Sequence, residues 1–460
     1  MNPSMSRKVY MVSGGVSKFA KARPDKTFPA IVKESYDYAL GDLKMKPKEV
    51  HDRIDGSTAS YFSDHFTRQL MAGIMVQDYL GLVPRPSHRV EGGGATGGLN
   101  IQAAWREIAS ERMNLCVAYG FETMSHVNTW KGNEFIALAS DISFDFPVGG
   151  FYSGYYAMMV TRHMKEFGTT VEEMAAVSVK NHRNAMYNPY AQKSAKLTIQ
   201  DVRNSPMVAW PLTRLDICVM SDGAASVLLA DEDTAFELTD NPILITGVGT
   251  GTDAMRMADR PHKDVPLAPN EKPEDYVGDQ FFGGKLKYPG VHSFRGGRTA
   301  GNMAYKMAGI TNPTKELDFV ELHDAYTSSE LQTIEDLALC KYGESGKFTA
   351  SGATFMPNID YGLDFSGEQG LIPVNPSGGL IACGHPVGAT GIMQGVFAFW
   401  QLQGSLSRHF KAMGMKEEDS KMLQLDNPKR GLIHSHAGTG TYITATVMER
   451  PEGQELEFKR

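Results

Sequence analysis

The chain has 460 residues, roughly three domains' worth at about 150 residues each, and its 42% hydrophobic content supports a large buried core. Its 46 Lys and Arg against 53 Asp and Glu give a formal net charge of -7, which argues against a nucleic-acid binder. No apolar stretch approaches the ~18 residues of a membrane-spanning helix, and the N-terminus runs into a strand-like segment without a signal-peptide apolar region. No membrane association and a cytoplasmic location are therefore expected. Cys116, Cys218, Cys340 and Cys383 lie far apart with no C-x-x-C pair, so neither a disulfide framework nor a metal site is indicated.

In chain order, Lys8 to Val12, Leu115 to Tyr119, Ala225 to Ala230, Ile243 to Val248 and Tyr442 to Met448 are short apolar runs that predict strands buried on both faces. Ile101 to Arg112 and Glu330 to Leu339 carry apolar residues at three- and four-residue spacing and predict helices. This alternation favours a layered α/β fold. Ser125 to Trp210 departs from it. That stretch is rich in aromatics, including Trp130, Phe151, Tyr152, Tyr155 and Tyr156, shows helical periodicity only from about Tyr156 to Asn181, and predicts an inserted loop domain. Met255 to Gly297 is rich in Pro, Gly and charge, as a lid or interface segment would be.

Four segments stand out, three of them because they place glycine and reactive side chains in one short turn. Val90-Glu91-Gly92-Gly93-Gly94-Ala95-Thr96-Gly97-Gly98 precedes a helix; it offers free N–H groups for an anion or oxyanion, or serves only as a tight turn. Asp318 to Thr327 is a strand ending in Glu321, His323, Asp324 and Tyr326. Asn375 to Gly391 holds Cys383 and His385 among repeated glycines, and Gly431 to Gly440 carries His434 and His436. A single histidine is more often structural than catalytic. Two loops pairing imidazole with glycine, and a third imidazole where a strand ends, shift the balance, because imidazole is the side chain best suited to proton transfer near neutral pH.

These four segments, in this order, resemble the catalytic loops of the thiolase superfamily, closest to its sterol-carrier-protein thiolase branch. Lys180 to Ala185, Asn188 to Tyr190, Pro211-Leu212, Ser221 to Ala225 and Ala304 to Ile310 resemble the same branch, and Met255 to Gly297 is the main unmatched stretch. The resemblance implies a five-layered α-β-α-β-α core of two similar α/β halves with two central sheets. Residues 1–124 plus 211–240 would form the first half, 125–210 the loop domain and 241–460 the second half. It also implies an acyl-CoA substrate, with Ser377, Gly378, Gly379 and Gly384 in the coenzyme A loop, and C–C bond chemistry beside the thioester. A homodimer is expected, with a small OB-fold and zinc-ribbon protein as an expected partner subunit.

The departures from the resemblance carry the functional argument. Gly94 stands where the family has its nucleophilic cysteine, and Ala325 where the branch has its second cysteine, so an acyl-enzyme through the usual site is not available. His323 and His385 match positions that would hold the thioester oxygen of an enolate. His434 would orient the acid/base apparatus, and the N–H of Gly94 with one from Ala437 to Gly440 would form a second oxyanion hole. Loss of the side chain at Gly94 is expected to open room for a larger substrate. Tyr326 replaces the usual Phe and is either a phenol for a substrate hydroxyl or an aromatic wall. Cys383 is a displaced nucleophile or a residue facing away, while His436 matches no family role. Three readings stay open: a non-covalent aldolase-type lyase on a CoA thioester, an acyltransferase using Cys383 or direct CoA attack, and a non-catalytic thiolase-like subunit.

Overall fold

The computed structural model describes residues 7–260, 266–276 and 291–457. Of the segment predicted as a lid or interface, residues 261–265 and 277–290 lie outside the described residues. In chain order the principal strands are β1 (Val9–Val16), β2 (Gly56–Ser60), β3 (Ser87–Val90), β4 (Leu115–Thr123), β5 (Asp222–Asp231), β6 (Ile243–Thr252), β7 (Phe319–Glu321), β8 (Arg430–Ala437) and β9 (Tyr442–Glu449). β1, β4 and β5 are buried along their whole length, as strands covered by helices on both faces are.

The strands follow the order β3-β2-β4-β5-β1-β6-β9-β8-β7. From β2 inward the pairings are parallel to β4, antiparallel to β5 and antiparallel to β1. From β7 inward they are again parallel to β8, antiparallel to β9 and antiparallel to β6. One pairing pattern is thus used twice, which makes the halves structurally similar. The expected two sheets are joined here in a single hydrogen-bonded order. The seam is short, Tyr10 opposite Leu244 and Met11 opposite Ile243, after which β1 and β6 diverge.

The principal helices are α1 (Phe28–Gly41), α2 (Thr96–Ala109), α3 (Tyr152–Phe167), α4 (Val171–Ala185), α5 (Arg295–Ala308), α6 (Thr327–Asp336) and α7 (Val387–Gln403). α2 and α7 pack on each other and touch strands of both halves, while α1 covers β1, β4 and β5, and α5 covers β6 and β9. The result is five layers with α2 and α7 in the middle. These two helices cross backbone to backbone: a Cβ on Gly97 would stand 2.6 Å from Gly391 N. Any larger residue would push the central layer apart, so glycine is required there for close approach.

Helix boundaries differ from expectation for local reasons. α2 begins before Ile101, because a 3-10 turn over Gly93–Ala95 leads straight into it. The periodicity of the inserted region resolves into two helices, α3 and α4, within a segment that also holds Thr129–Ala137 and Ile199–Arg203. Gly168, at φ 78°, ends α3, and the Thr170–Glu173 capping box starts α4.

Candidate active site

Each sequence-predicted loop leaves the end of a core element and turns toward a common point. Gly94 sits in the 3-10 turn that leads into α2, His323 follows β7, His385 lies two residues before α7, and His434 and His436 lie two apart on one face of β8. The extended segment 217–221 ties two loops together: Cys218 N–H donates to Ala325 O at 2.9 Å, and His385 N–H donates to Ser221 Oγ at 2.9 Å.

The imidazoles form one cluster. The rings of His323 and His385 are 5.0 Å apart and perpendicular, and those of His323 and His436 are 5.4 Å apart and nearly parallel. His323 N–H reaches His434 Nδ1 at 3.4 Å, so His434 carries its proton on Nε2. Thr390 Oγ1 lies 2.8 Å from His385 Nδ1 and 3.0 Å from Pro386 O. Its single hydrogen sets the tautomer of His385: donated to the ring, it leaves an N–H on Nε2, whereas donated to Pro386 O it makes Nδ1–H the donor to Thr390 and leaves Nε2 an acceptor. Tyr326 stacks on Tyr156 at 4.2 Å and places its Oη 3.2 Å from Ser153 Oγ, while Tyr156 Oη lies 2.6 Å from His436 Nε2.

Burial decides the charge state of the cluster. It holds His385 and His434 down to about 3, and His323 and His436 well below the ordinary imidazole range, the neighbouring imidazoles adding to the effect at His323. The cluster is therefore neutral at physiological pH and offers N–H donors without fixed charge. Burial likewise pushes the Tyr326 phenol up, so it is a hydroxyl donor rather than a phenolate. The N–H groups of Gly94 and Gly438 have no acceptor among the described residues.

Residues 9–233 match the thiolase N-terminal domain and residues 288–450 the thiolase C-terminal domain-like family. The acetyl-CoA acetyltransferase of Methanothermobacter thermautotrophicus is 34% identical over 444 residues, 96% of this chain and all of that protein. The chain belongs to the thiolase superfamily. Human sterol carrier protein 2 is 29% identical over 88% of the chain and 68% of its own length, in keeping with the sterol-carrier thiolase-like branch. The solved structure of an Ltp2-ChsH2(DUF35) aldolase shares the thiolase fold, with a TM-score of 0.72 at 20% identity over 97% of this chain and 99% of its own.

Against that thiolase frame, the expectation of extra room at Gly94 is corrected. A Cβ there would stand 2.4 Å from His436 O and 3.1 Å from His323 Cε1, because the hairpin and the His323 loop have closed over the position. Gly94→Ala is accordingly expected to lower kcat/KM at least tenfold by displacing His323, and Gly94→Cys to fold less stably without gaining an acyl-enzyme. Mass spectrometry after acyl-CoA incubation checks the second point; a stable adduct on the introduced cysteine would show that the hairpin yields.

The remaining predicted residues have defined places. Cys383 is fully buried in the apolar core, its Sγ 3.6 Å from Asn188 Nδ2, and burial pushes its thiol up, the opposite of an activated nucleophile. Ser377 spends both its hydroxyl and its N–H on Glu321, at 2.6 and 2.8 Å. Gly378, Gly379 and Gly384 all have positive φ and pack against Ala185, Asp324 and Ser221 respectively. Of the loop-domain aromatics, Tyr155 and Tyr156 are core, whereas Trp130 is 80% exposed. Among the described residues no group of His, Cys, Asp and Glu is placed to hold a metal, and no helix is long and apolar enough to cross a membrane.

The sequence reading missed the buried polar frame behind the cluster. Lys180 Nζ pairs with Glu330 and donates to Val374 O; Asn181 reaches both Asp324 and Glu330; Asn375 donates to Glu330 at 3.0 Å. Asp324 accepts from Leu380 N–H at 2.6 Å, fixing the His323 loop to the His385 loop. Burial raises Glu321 to about 7 and Asp324 well above the carboxylate range. Neither Lys180 nor Glu330 stands out in its helix, since polar neighbours such as Asn181, Arg183, Thr327 and Thr333 flank them.

Proposed function

We propose that this protein binds a CoA thioester and makes or breaks the carbon–carbon bond beside its carbonyl by enolate chemistry, without an acyl-enzyme. In the cleavage direction the substrate is a β-hydroxyacyl-CoA. Its hydroxyl proton passes to solvent water, and the hydroxyl-bearing carbon becomes a ketone or aldehyde. The electron pair of the broken Cα–Cβ bond passes into the thioester enolate, which takes a proton at Cα to release the shorter acyl-CoA.

In this reading His323 and His385 donate Nε2–H to the enolate oxygen, and such donors are commonly worth about 3–4 kcal/mol each in the transition state. Tyr326 and Ser153 receive the substrate hydroxyl, while Gly94 and Gly438 supply a second pair of N–H donors. His434 holds the His323 backbone. Ser377, Gly378, Gly379 and Gly384 shape the loop beside the thioester of coenzyme A. A homodimer, with a small OB-fold and zinc-ribbon subunit beside it, belongs to the same proposal.

The observation that carries the reading is the filled space at Gly94, which leaves no room for a nucleophile beside an intact set of neutral donors. Incubation with a radiolabelled acyl-CoA is expected to leave no label on the denatured protein, and Cys383→Ala to keep most activity. Stable label on Cys383, with activity lost on its replacement, would overturn the reading. A second reading, acyl transfer by direct attack of CoA, is supported by the 34% identity to an acetyl-CoA acetyltransferase. Product analysis separates the two, since only the lyase releases a free carbonyl compound.

A further inference from the structure

We infer that Arg260 and Tyr152 form a carboxylate pocket that selects CoA thioesters bearing a free carboxylate on the acyl skeleton; the inference rests on the CoA-thioester reading above. Arg260 is 5% exposed, and the one hydrogen bond of its side chain among the described residues runs from Nη2 to Thr439 Oγ1 at 2.6 Å. Its Nε and Nη1 are buried without a partner among the described residues. Other buried cations are matched to carboxylates, Lys180 to Glu330 and Arg298 to Glu271, whereas Arg260 makes no ion pair among the described residues. A guanidinium never gives up its proton, so its burial without an anion is costly and calls for one.

A second group unpaired among the described residues lies against the same hairpin turn. Tyr152 Oη is buried without a partner and stands 3.5 Å from where a Cβ on Gly438 would be, next to the Thr439 that Arg260 grips. Arg260 also exerts its field on Tyr152, Tyr156 and His436. Guanidinium N–H groups and a phenol O–H thus stand open around one turn, and a carboxylate has acceptor oxygens for both.

The position of the turn identifies which anion this is. The turn directly follows His436, whose carbonyl faces Gly94, so Arg260 belongs to the reacting end of the site. The phosphates of coenzyme A lie a full pantetheine arm from the thioester. The anion therefore sits on the acyl side. Arg260 comes from the Met255–Gly297 stretch that matches no other thiolase segment in the sequence reading, which is where a specificity element particular to this chain would be found.

The test compares probes of equal length with and without the carboxylate: succinyl-CoA against butyryl-CoA, and glutaryl-CoA against valeryl-CoA, titrated calorimetrically into the full chain. Wild type is expected to bind one carboxylated probe at least about tenfold more tightly than its apolar counterpart. Arg260→Gln and Tyr152→Phe are expected to bring that ratio towards one, and Arg260→Lys to keep part of it; thermal melts confirm that the variants fold. Equal affinities in wild type, or a ratio unchanged in Arg260→Gln, would overturn the carboxylate pocket while leaving CoA-thioester binding in place. Failure of all four probes and of free CoA to bind would overturn both.

Discussion

Replacing His385 with Ala is expected to lower kcat/KM for C–C cleavage by about 10²–10³-fold, because one of two N–H donors to the developing enolate oxygen is lost. The backbone bond from His385 N to Ser221 survives the change, so the loop keeps its anchor. Its pH dependence is the sharper readout. A free imidazole would lose its neutral form as pH falls through about 6.5, whereas burial holds His385 down to about 3. Lowering the pH from 8 to 5 therefore leaves the wild-type donor neutral, and the acid limb that it sets lies near 3. An acid limb in kcat/KM near 6.5 that disappears in His385→Ala would overturn this assignment. Tyr326→Phe is expected to slow cleavage of a β-hydroxyacyl-CoA more than it weakens binding, since the lost contact is to the hydroxyl that reacts.

Replacing Lys180 with Met is expected to cost about 3–5 kcal/mol of stability, the typical consequence of leaving a buried carboxylate without its cation. Lys180 and Glu330 are both fully buried, and Glu330 also receives Asn181 and Asn375, at 3.1 and 3.0 Å. Pairing Lys180→Met with Glu330→Gln removes the stranded charge and is expected to recover much of the loss, which chemical denaturation measures. The double variant should still be slow as a catalyst. Glu330, Asn181 and Asp324 together fix the His323 loop to the turn at Leu380, so a loosened frame misplaces donors that need sub-ångström alignment. A Lys180→Met variant as stable as wild type would show that the pair contributes nothing to the frame.

The alternation of apolar strands with periodic helices, and the four loops, three of them glycine-rich, that carry Gly94, His323, His385 and His434, were legible in the sequence. These are local signals: a run of buried side chains sets a strand, and a loop that must bring backbone close to a ligand or another chain segment shows its glycines. The absence of a thiol at Gly94 was legible too. What that absence creates was not. In the sequence a missing side chain means free space; the fold fills it with His436 O and His323 Cε1, contacts made across 342 and 229 positions of chain. His436 likewise had no role until β8 laid it against His323 and α3 brought Tyr156 to its Nε2. Cys383 looked reactive beside His385 in the chain, yet successive residues of one loop face different ways, and the fold turns its sulfur into the apolar core. Arg260 and the Lys180–Glu330 pair were the least visible of all. A charge in a sequence is by default a solvated one, and only packing between distant segments shows that these are buried, which of them has found its counter-ion, and which still lacks one.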